Sequence, residues 1–354
     1  MFKTVVINLG STSTKIAYFE DDVCVVKENI PHPADEVRNF PTIWEQKEYR
    51  MAVIRDFMGR HHIRPEDLDG FTTRGGHTEP ITGGVYRINR KMLEQSRSEA
   101  YGNHISDLGL QIAAEYSRFG PCAFTVDSPC TDEFEPLARY TGLPEIQRTS
   151  RFHALNHKAV ARQYCADYGL DYHEVDLIVV HMGGGTSVAA HKHGMMIDGT
   201  NGLDGDGPFS TNRTGALPVG PLVDLCYSGQ YDHKQMRRKI NGLGGLMAYV
   251  GDTDVRSICE KMEAGDKACG EALDAMIYQT AKEIGGAATV LKGRVDAILF
   301  TGGIMHSAYV TEHLKERVSF IADVYVYPGE WEMESLGRQT YLALAGREEI
   351  KELV

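Results

Sequence analysis

One short pattern occurs twice in this chain, and it limits the folds available more than any other feature. Residues 5–17 (VVINLGSTSTKIA) and 178–190 (IVVHMGGGTSVAA) each run from an apolar stretch through a turn of small residues into a second apolar stretch. Both read as strand, tight turn, strand, which is a β-hairpin. Sliding the first onto the second by 173 residues sets Asn8 on His181, Gly10 on Gly183, Ser13 on Thr186 and Thr14 on Ser187. A second pair, 69–76 (DGFTTRGG) and 296–303 (DAILFTGG), matches at an offset of 227, and both members are short strands ending in Gly-Gly. The offsets differ by 227 − 173 = 54 residues, so the second part of the chain repeats the plan of the first with an insertion of about that size.

Helical segments separate these strands. Residues 103–119 carry Ile105, Leu108, Ile112 and Tyr116 near a 3.6-residue period, and 271–291 align Leu273, Ile277, Ala281, Ile284 and Ala288. Residues 36–60 place Ile43, Val53, Ile54 and Phe57 at mixed helical spacing, and strands are expected at 123–126 and 324–327. Alternating strands and helices predict an α/β chain, with hairpins inside each sheet. A length of 354 residues suits two domains. The expected break lies within 145–151, giving domains 1–148 and 149–354, with a C-terminal helix at roughly 332–345 packing back on the first.

The net charge of −12 argues against nucleic-acid or anionic-membrane partners, which want a basic face. No apolar run reaches the length of a membrane span, and Met1 leads almost directly into a strand rather than a secretory leader. Seven scattered cysteines without a CxxC pair read as reduced thiols in a cytoplasmic protein. An anionic substrate would therefore have to meet local positive charge, which singles out Arg and Lys beside the glycine-rich turns.

The turn Gly10, Ser11, Thr12, Ser13, Thr14, Lys15 lets backbone amides approach phosphate oxygens, and its hydroxyls add donors. It is no P-loop, because the GxxxxGK[ST] spacing is absent and a strand follows. Alone such a turn is often only a turn; two copies at equivalent places suggest a clamp on a polyphosphate. His181 leads into the second copy, Gly183, Gly184, Gly185 and Thr186. Gly302, Gly303 and Ile304 end a further apolar strand, a turn over which a nucleotide could pass.

Taken with TRGG at 73–76, FHALN at 152–156, LDGDGPFS at 203–210, RTG at 213–215, LPVG at 217–220, FTGG at 300–303 and YPGE at 327–330, the chain resembles the butyrate kinases of the acetokinase family. That family belongs to the superfamily of acetate and sugar kinases, heat-shock chaperones and actin. The resemblance implies two duplicated ribonuclease H-like, actin-like ATPase domains with mixed sheets and an interdomain active-site cleft. It implies ATP and Mg2+ as cofactors, a short-chain carboxylic acid as substrate, and a homo-oligomer, dimer or higher. It assigns Asn8 and Glu332 to the metal, with Glu330 and Glu334 as competitors for Glu332, and Ser11, Ser13 and Lys15 to phosphate oxygens. Arg74 and Arg213 would flank the migrating phosphoryl group, Asp127 would orient the metal site and nucleophile, and His153 would stabilise the transition state. His181 and the glycines would contact phosphates, and Asp254, Arg256, Gly302, Gly303 and Ile304 would form the adenosine pocket.

Plainer readings stand beside these. Arg74 could sit in an ion pair, Asp127 could cap a turn, and His153 and His157 could be core residues. His61–His62 and His191–His193 read as solvated surface, and the Asp204–Gly207 stretch as a turn. Acetate, propionate or a branched acid remains an alternative substrate, since His77 to Glu79 and Ser128 to Thr131 are polar for a fatty-acid site. A non-catalytic actin-like scaffold is the alternative of another class. A sugar kinase would want an Asp base, a part Asp127 could play.

Overall fold

The computed structural model describes residues 1–354. Its strands are β1 (Lys3–Leu9), β2 (Ser13–Glu20), β3 (Val23–Pro31), β4 (Gly70–Thr73), β5 (Val85–Arg87), β6 (Cys122–Val126), β7 (Asp176–Met182), β8 (Thr186–Lys192), β9 (Met195–Gly199), β10 (Ala297–Gly302), β11 (Val324–Pro328) and β12 (Ile350–Lys351). They form one sheet in the order β12-β5-β6-β4-β1-β2-β3 and another in the order β11-β10-β7-β8-β9.

The expected duplication is written in these orders. β1 pairs antiparallel with β2 and parallel with β4, as β7 pairs with β8 and β10. The parallel neighbour β6 beside β4 has its counterpart in β11 beside β10. β1 and β7 are rich in β-branched residues and buried along almost their whole length, as central strands flanked on both faces must be. The two hairpins differ by one residue at the turn. Asn8 faces Lys15, but His181 faces Ser187, so the offset of 173 holds on the incoming strand and becomes 172 on the return.

The chain divides into two compact units, Met1–Asp132 with Trp331–Val354, and Glu133–Glu330. The division falls before the break expected at 148/149, and the chain re-enters the first unit near its end. The helix Glu332–Leu344 explains the return: it lies against β1 and β4 and buries Met333, Leu336 and Ala343. The first unit's core joins Val5, Ile7, Ile54, Phe57, Phe71, Leu108 and Ile112. The second's joins Ile178, Val180, Leu273, Ile277, Ile284, Ile298 and Phe300, the last helix residues coming from Lys267–Val290, whose Asp266 caps the first turn. The 36–60 segment is not one helix. It is a short helix Ala34–Arg38, a 3-10 turn at Trp44–Gln46, and a helix Lys47–Arg60. Phe40, Pro41 and Thr42 lie between them, and proline removes a backbone donor there.

Candidate active-site residues

In the first unit the candidates gather at the carboxyl ends of the parallel strands, where open α/β sheets hold ligands. Asn8 lies near the end of β1, Arg74 follows β4, and Asp127 follows β6. Asn8 Nδ2 donates to Glu332 Oε2 at 2.6 Å, and both residues are buried. Arg74 Nη2 lies 3.9 Å from Glu332 Oε1, and its buried Nε has no hydrogen-bond partner. Glu334 is drawn off by Lys27, 2.5 Å away, so Glu332 is the carboxylate that stands by Asn8. Asp127 is 1% exposed and takes φ 41°, a left-handed conformation uncommon for non-glycine residues. A reciprocal pair holds it there: Gly84 N donates to Asp127 Oδ1 at 2.8 Å and Asp127 N donates to Gly84 O at 3.1 Å.

The first small-residue turn is closed by Gly10 N donating to Ser13 O at 2.9 Å. Ser11 and Thr12 are exposed at its tip, while Thr14 is fully buried. Thr14 is therefore no surface donor, contrary to the expectation for the turn; its Oγ1 accepts from Arg50 Nη1 at 2.9 Å and meets His32 Nε2 at 2.8 Å. Arg50, fully buried, also donates to Ser13 O at 2.9 Å and to Ser11 O at 3.4 Å. A lone arginine in a segment of mixed apolar spacing gave no sequence signal for this brace.

In the second unit the turn Gly183–Gly185 closes with Gly183 N donating to Gly185 O at 2.9 Å. Ser210 Oγ braces it through Gly184 O at 2.8 Å. A Cβ on Gly185 would lie 2.1 Å from Arg213 Nη1 and 3.2 Å from His153 Cε1, so the turn is packed against both candidates. Arg213 donates through Nη1 to Gly202 O at 2.9 Å, its buried Nε has no partner, and no carboxylate lies within ion-pair distance. Burial alone pulls its pKa below the ordinary arginine value. A desolvated guanidinium without a counter-charge is costly unless an anion completes it.

The imidazoles of His153 and His181 stack at 3.8 Å and 15°. Thr301 donates its hydroxyl proton to Gly329 O at 3.2 Å, so it accepts from Asn156 Nδ2 at 3.1 Å. The same amide nitrogen then donates to His181 Nδ1 at 2.9 Å, which leaves the proton of neutral His181 on Nε2. His153 Nδ1 meets Ser187 Oγ at 3.0 Å. Gly302 takes φ 96°, and a Cβ there would strike Met182 O at 2.2 Å, so only glycine fits. Ile304 is buried beyond it, in a 3-10 turn. Asp254 is exposed and caps its helix by accepting from Arg256 N at 3.0 Å, with Arg256 exposed beside it. His191, expected at the surface, is fully buried, because β8 turns it inward against Tyr172, whose hydroxyl lies 2.8 Å from its Nδ1.

The acetokinase family model matches residues 144–340. A probable butyrate kinase of Bacteroides thetaiotaomicron is 47% identical over 346 residues, covering 97% of this chain and 98% of the relative. The chain belongs to the acetokinase family. Butyrate kinase 1 of Clostridium acetobutylicum is 42% identical, with 99% of each chain covered. Among solved structures, the acetate kinase of Porphyromonas gingivalis superposes with a TM-score of 0.80 at 19% identity, covering 98% of this chain and 100% of the other. A propionate kinase from Francisella tularensis superposes at 0.75 and 16% identity, covering 96% and 99%. The sheets of this chain thus share the fold of those acetate and propionate kinases. Asn156 and Ser187, both fully buried, join its candidate residues though no pattern singled them out for a role.

Proposed function

We propose that this acetokinase is a butyrate kinase, converting ATP and butyrate to ADP and butyryl phosphate by direct in-line transfer. The observation that carries this most is Arg213: a largely buried guanidinium, without a carboxylate partner, packed against the glycine turn that also adjoins His153. Such a group suits an anion that comes and goes. The names of relatives 42–47% identical over nearly their whole length support butyrate as the acid.

A carboxylate is ionised at neutral pH and needs no general base. One carboxylate oxygen forms a bond to the γ-phosphorus as the bond to the β–γ bridging oxygen breaks, and ADP leaves with that electron pair. Alignment and charge neutralisation supply the catalysis. In this reading Arg74 and Arg213 hold the equatorial oxygens, His153 and His181 donate to phosphate oxygens, Asp127 orients the nucleophile, and Ser11, Thr12, Ser13 and Lys15 hold the polyphosphate. Gly302, Gly303, Ile304, Asp254 and Arg256 serve the adenosine.

The residues fit magnesium. Asn8 and Glu332 offer hard oxygen donors, and Mg2+ commonly binds through one or two carboxylates together with substrate phosphates and water. No cluster of three or more His, Cys, Asp or Glu could hold a metal unaided, so the nucleotide would complete the set. When bound, the ion would neutralise phosphate charge.

The polar segments after Gly76 and Asp127 do not favour a more polar acid. Cys130 Sγ accepts from Thr78 N at 2.9 Å, and His77 Nδ1 lies 3.0 Å from the buried Asp107 carboxylate, so these groups serve one another. A cytoplasmic homo-oligomer belongs to the same proposal. No helix is long and apolar enough to cross a membrane. The helix Val219–Tyr227 is apolar yet buries none of its residues, as a subunit contact would require.

Hydroxamate trapping of acyl phosphate from Mg-ATP and straight-chain acids of two to six carbons tests the reading. Butyrate should give the highest kcat/KM. No product with any acid would remove the carboxylate-kinase reading, and a clear preference for acetate would remove butyrate.

A further inference from the structure

The transfer reaction uses His153 at its surface, yet a file of hydrogen bonds continues from it into the core of the second unit. Ser187 Oγ lies 3.0 Å from His153 Nδ1 and 2.8 Å from His157 Nε2. His157 Nδ1 lies 3.4 Å from His191 Nε2, a long contact between rings stacked at 8°. His191 Nδ1 lies 2.8 Å from Tyr172 OH. Ser187, His157 and His191 are fully buried, and Tyr172 is 7% exposed. Two elements and the turn that carries Tyr172 build the file. Ser187 and His191 sit four residues apart on β8, so both face the same side of the sheet. His157 sits four residues past His153, one turn into the helix Ala154–Tyr168.

A neutral imidazole has one N–H and one lone pair, and both ring nitrogens of His157 and His191 are engaged. The file can therefore run in only two senses. In the first, Tyr172 donates to His191 Nδ1, His191 Nε2–H to His157 Nδ1, His157 Nε2–H to Ser187 Oγ, and Ser187 to His153 Nδ1. The proton of His153 is then on Nε2. In the second sense every bond reverses, and His153 Nε2 carries a lone pair, which would repel a phosphoryl oxygen. A phenol is a better donor than a neutral imidazole, and an imidazole nitrogen is a better acceptor than a phenol oxygen, so the first sense is favoured. Burial, followed by repulsion from His191 and His181, holds His157 well below the usual histidine range. Burial, followed by repulsion from Lys158 and Arg162, does the same for His191. Both interior rings therefore stay neutral, and the file carries orientation rather than charge.

We propose that Tyr172, His191, His157 and Ser187 form a tautomer lock that keeps His153 in its Nε2–H form, ready to donate to the transferring phosphoryl group. They are positioning residues; no proton passes along the file during turnover. What the Nε2–H is used for rests on the carboxylate-kinase reading, but where the proton sits does not.

Long-range 1H–15N spectra of the full-length protein labelled with 15N-histidine read the tautomers directly, with His153→Gln, His157→Gln and His191→Gln giving assignments. At pH 7, His153, His157 and His191 should all show the Nε2–H pattern. Tyr172→Phe keeps the ring and removes the donor. It should turn the His153 signal into a mixture of tautomers and lower kcat by about tenfold, the scale for losing a partner that orients a histidine, with KM for ATP unchanged. An Nδ1–H pattern at His157 or His191 in the unaltered protein would overturn the lock, and needs no variant to fold. So would a His153 tautomer untouched by Tyr172→Phe. If the tautomers are as stated and no acid is phosphorylated, the kinase reading falls and the lock stands.

Discussion

Arg213 and Gly185 show how little space the chemistry leaves at the scale of single residues. Arg213 is held by one hydrogen bond to Gly202 O and by packing, with no counter-ion to lose when a phosphate arrives. In the proposed reaction its charge would gain most as negative charge builds on the transferring group, so Arg213→Ala should cut kcat by roughly 10²–10³-fold while ATP affinity changes far less. Steady-state kinetics beside direct ATP titration check this; equal losses in both would make Arg213 a ground-state nucleotide ligand. Arg213→Lys should not restore the rate, because an ammonium lacks the planar fork. Gly185→Ala puts a methyl group 2.1 Å from Arg213 Nη1 and should lower kcat nearly as much while the thermal transition stays in place. Arg213 was legible in the sequence because it opens a short motif, and Asp127 only through the family resemblance. Asn156 and Ser187 lie in quoted motifs, yet nothing local gave them a role, and Arg50 lies in none, since its partners are a distant hydroxyl and distant backbone carbonyls.

The hairpin between β1 and β2 is an element stabilised from behind. Arg50 reaches it from the helix Lys47–Arg60, and His32 meets Thr14 from the end of β3. Burial pulls Arg50 down to about 10, which leaves it charged at neutral pH. Arg50→Met would leave Ser13 O and Thr14 Oγ1 without that donor, and should cost about 2–3 kcal/mol in urea unfolding. Its ATP affinity should fall as the turn loosens. His32 is pushed down to about 4, by burial first and then by Arg50. The unfolded chain, with histidine near its model value of 6.5, binds more protons than the folded one between those values. Stability is therefore full above about pH 6.5 and falls as pH drops towards about 4. His157 and His191, also depressed, add to the loss with the same sign. Urea midpoints at pH 7 and pH 5 should show the drop, and His32→Asn should make it shallower; a flat profile would mean these rings accept protons without strain.

For the whole molecule, the helix Val219–Tyr227 carries the prediction. Val219 and Tyr227 are 72% and 88% exposed, and Tyr249 is 73% exposed. Val219→Glu with Tyr227→Glu should reduce the mass measured by light scattering to that of one chain of 39.3 kDa. An unchanged higher mass would put the contact elsewhere, and a monomeric unaltered protein would remove the oligomer. The sequence by itself determined the duplicated plan, since repeats such as VVINLG and IVVHMGGG carry strand, turn and second strand in contiguous residues. It also determined the family and most of the candidate residues, because these lie in turns whose small residues have a local cause. Only the tertiary structure decided that Glu332 rather than Glu334 stands beside Asn8, that Thr14 faces inward, that His191 is buried, and that the chain divides at Asp132 with its last helix returned to the first unit. Each of these depends on partners tens to hundreds of residues away along the chain, and the periodicity of a segment records which face is buried without recording what it is buried against.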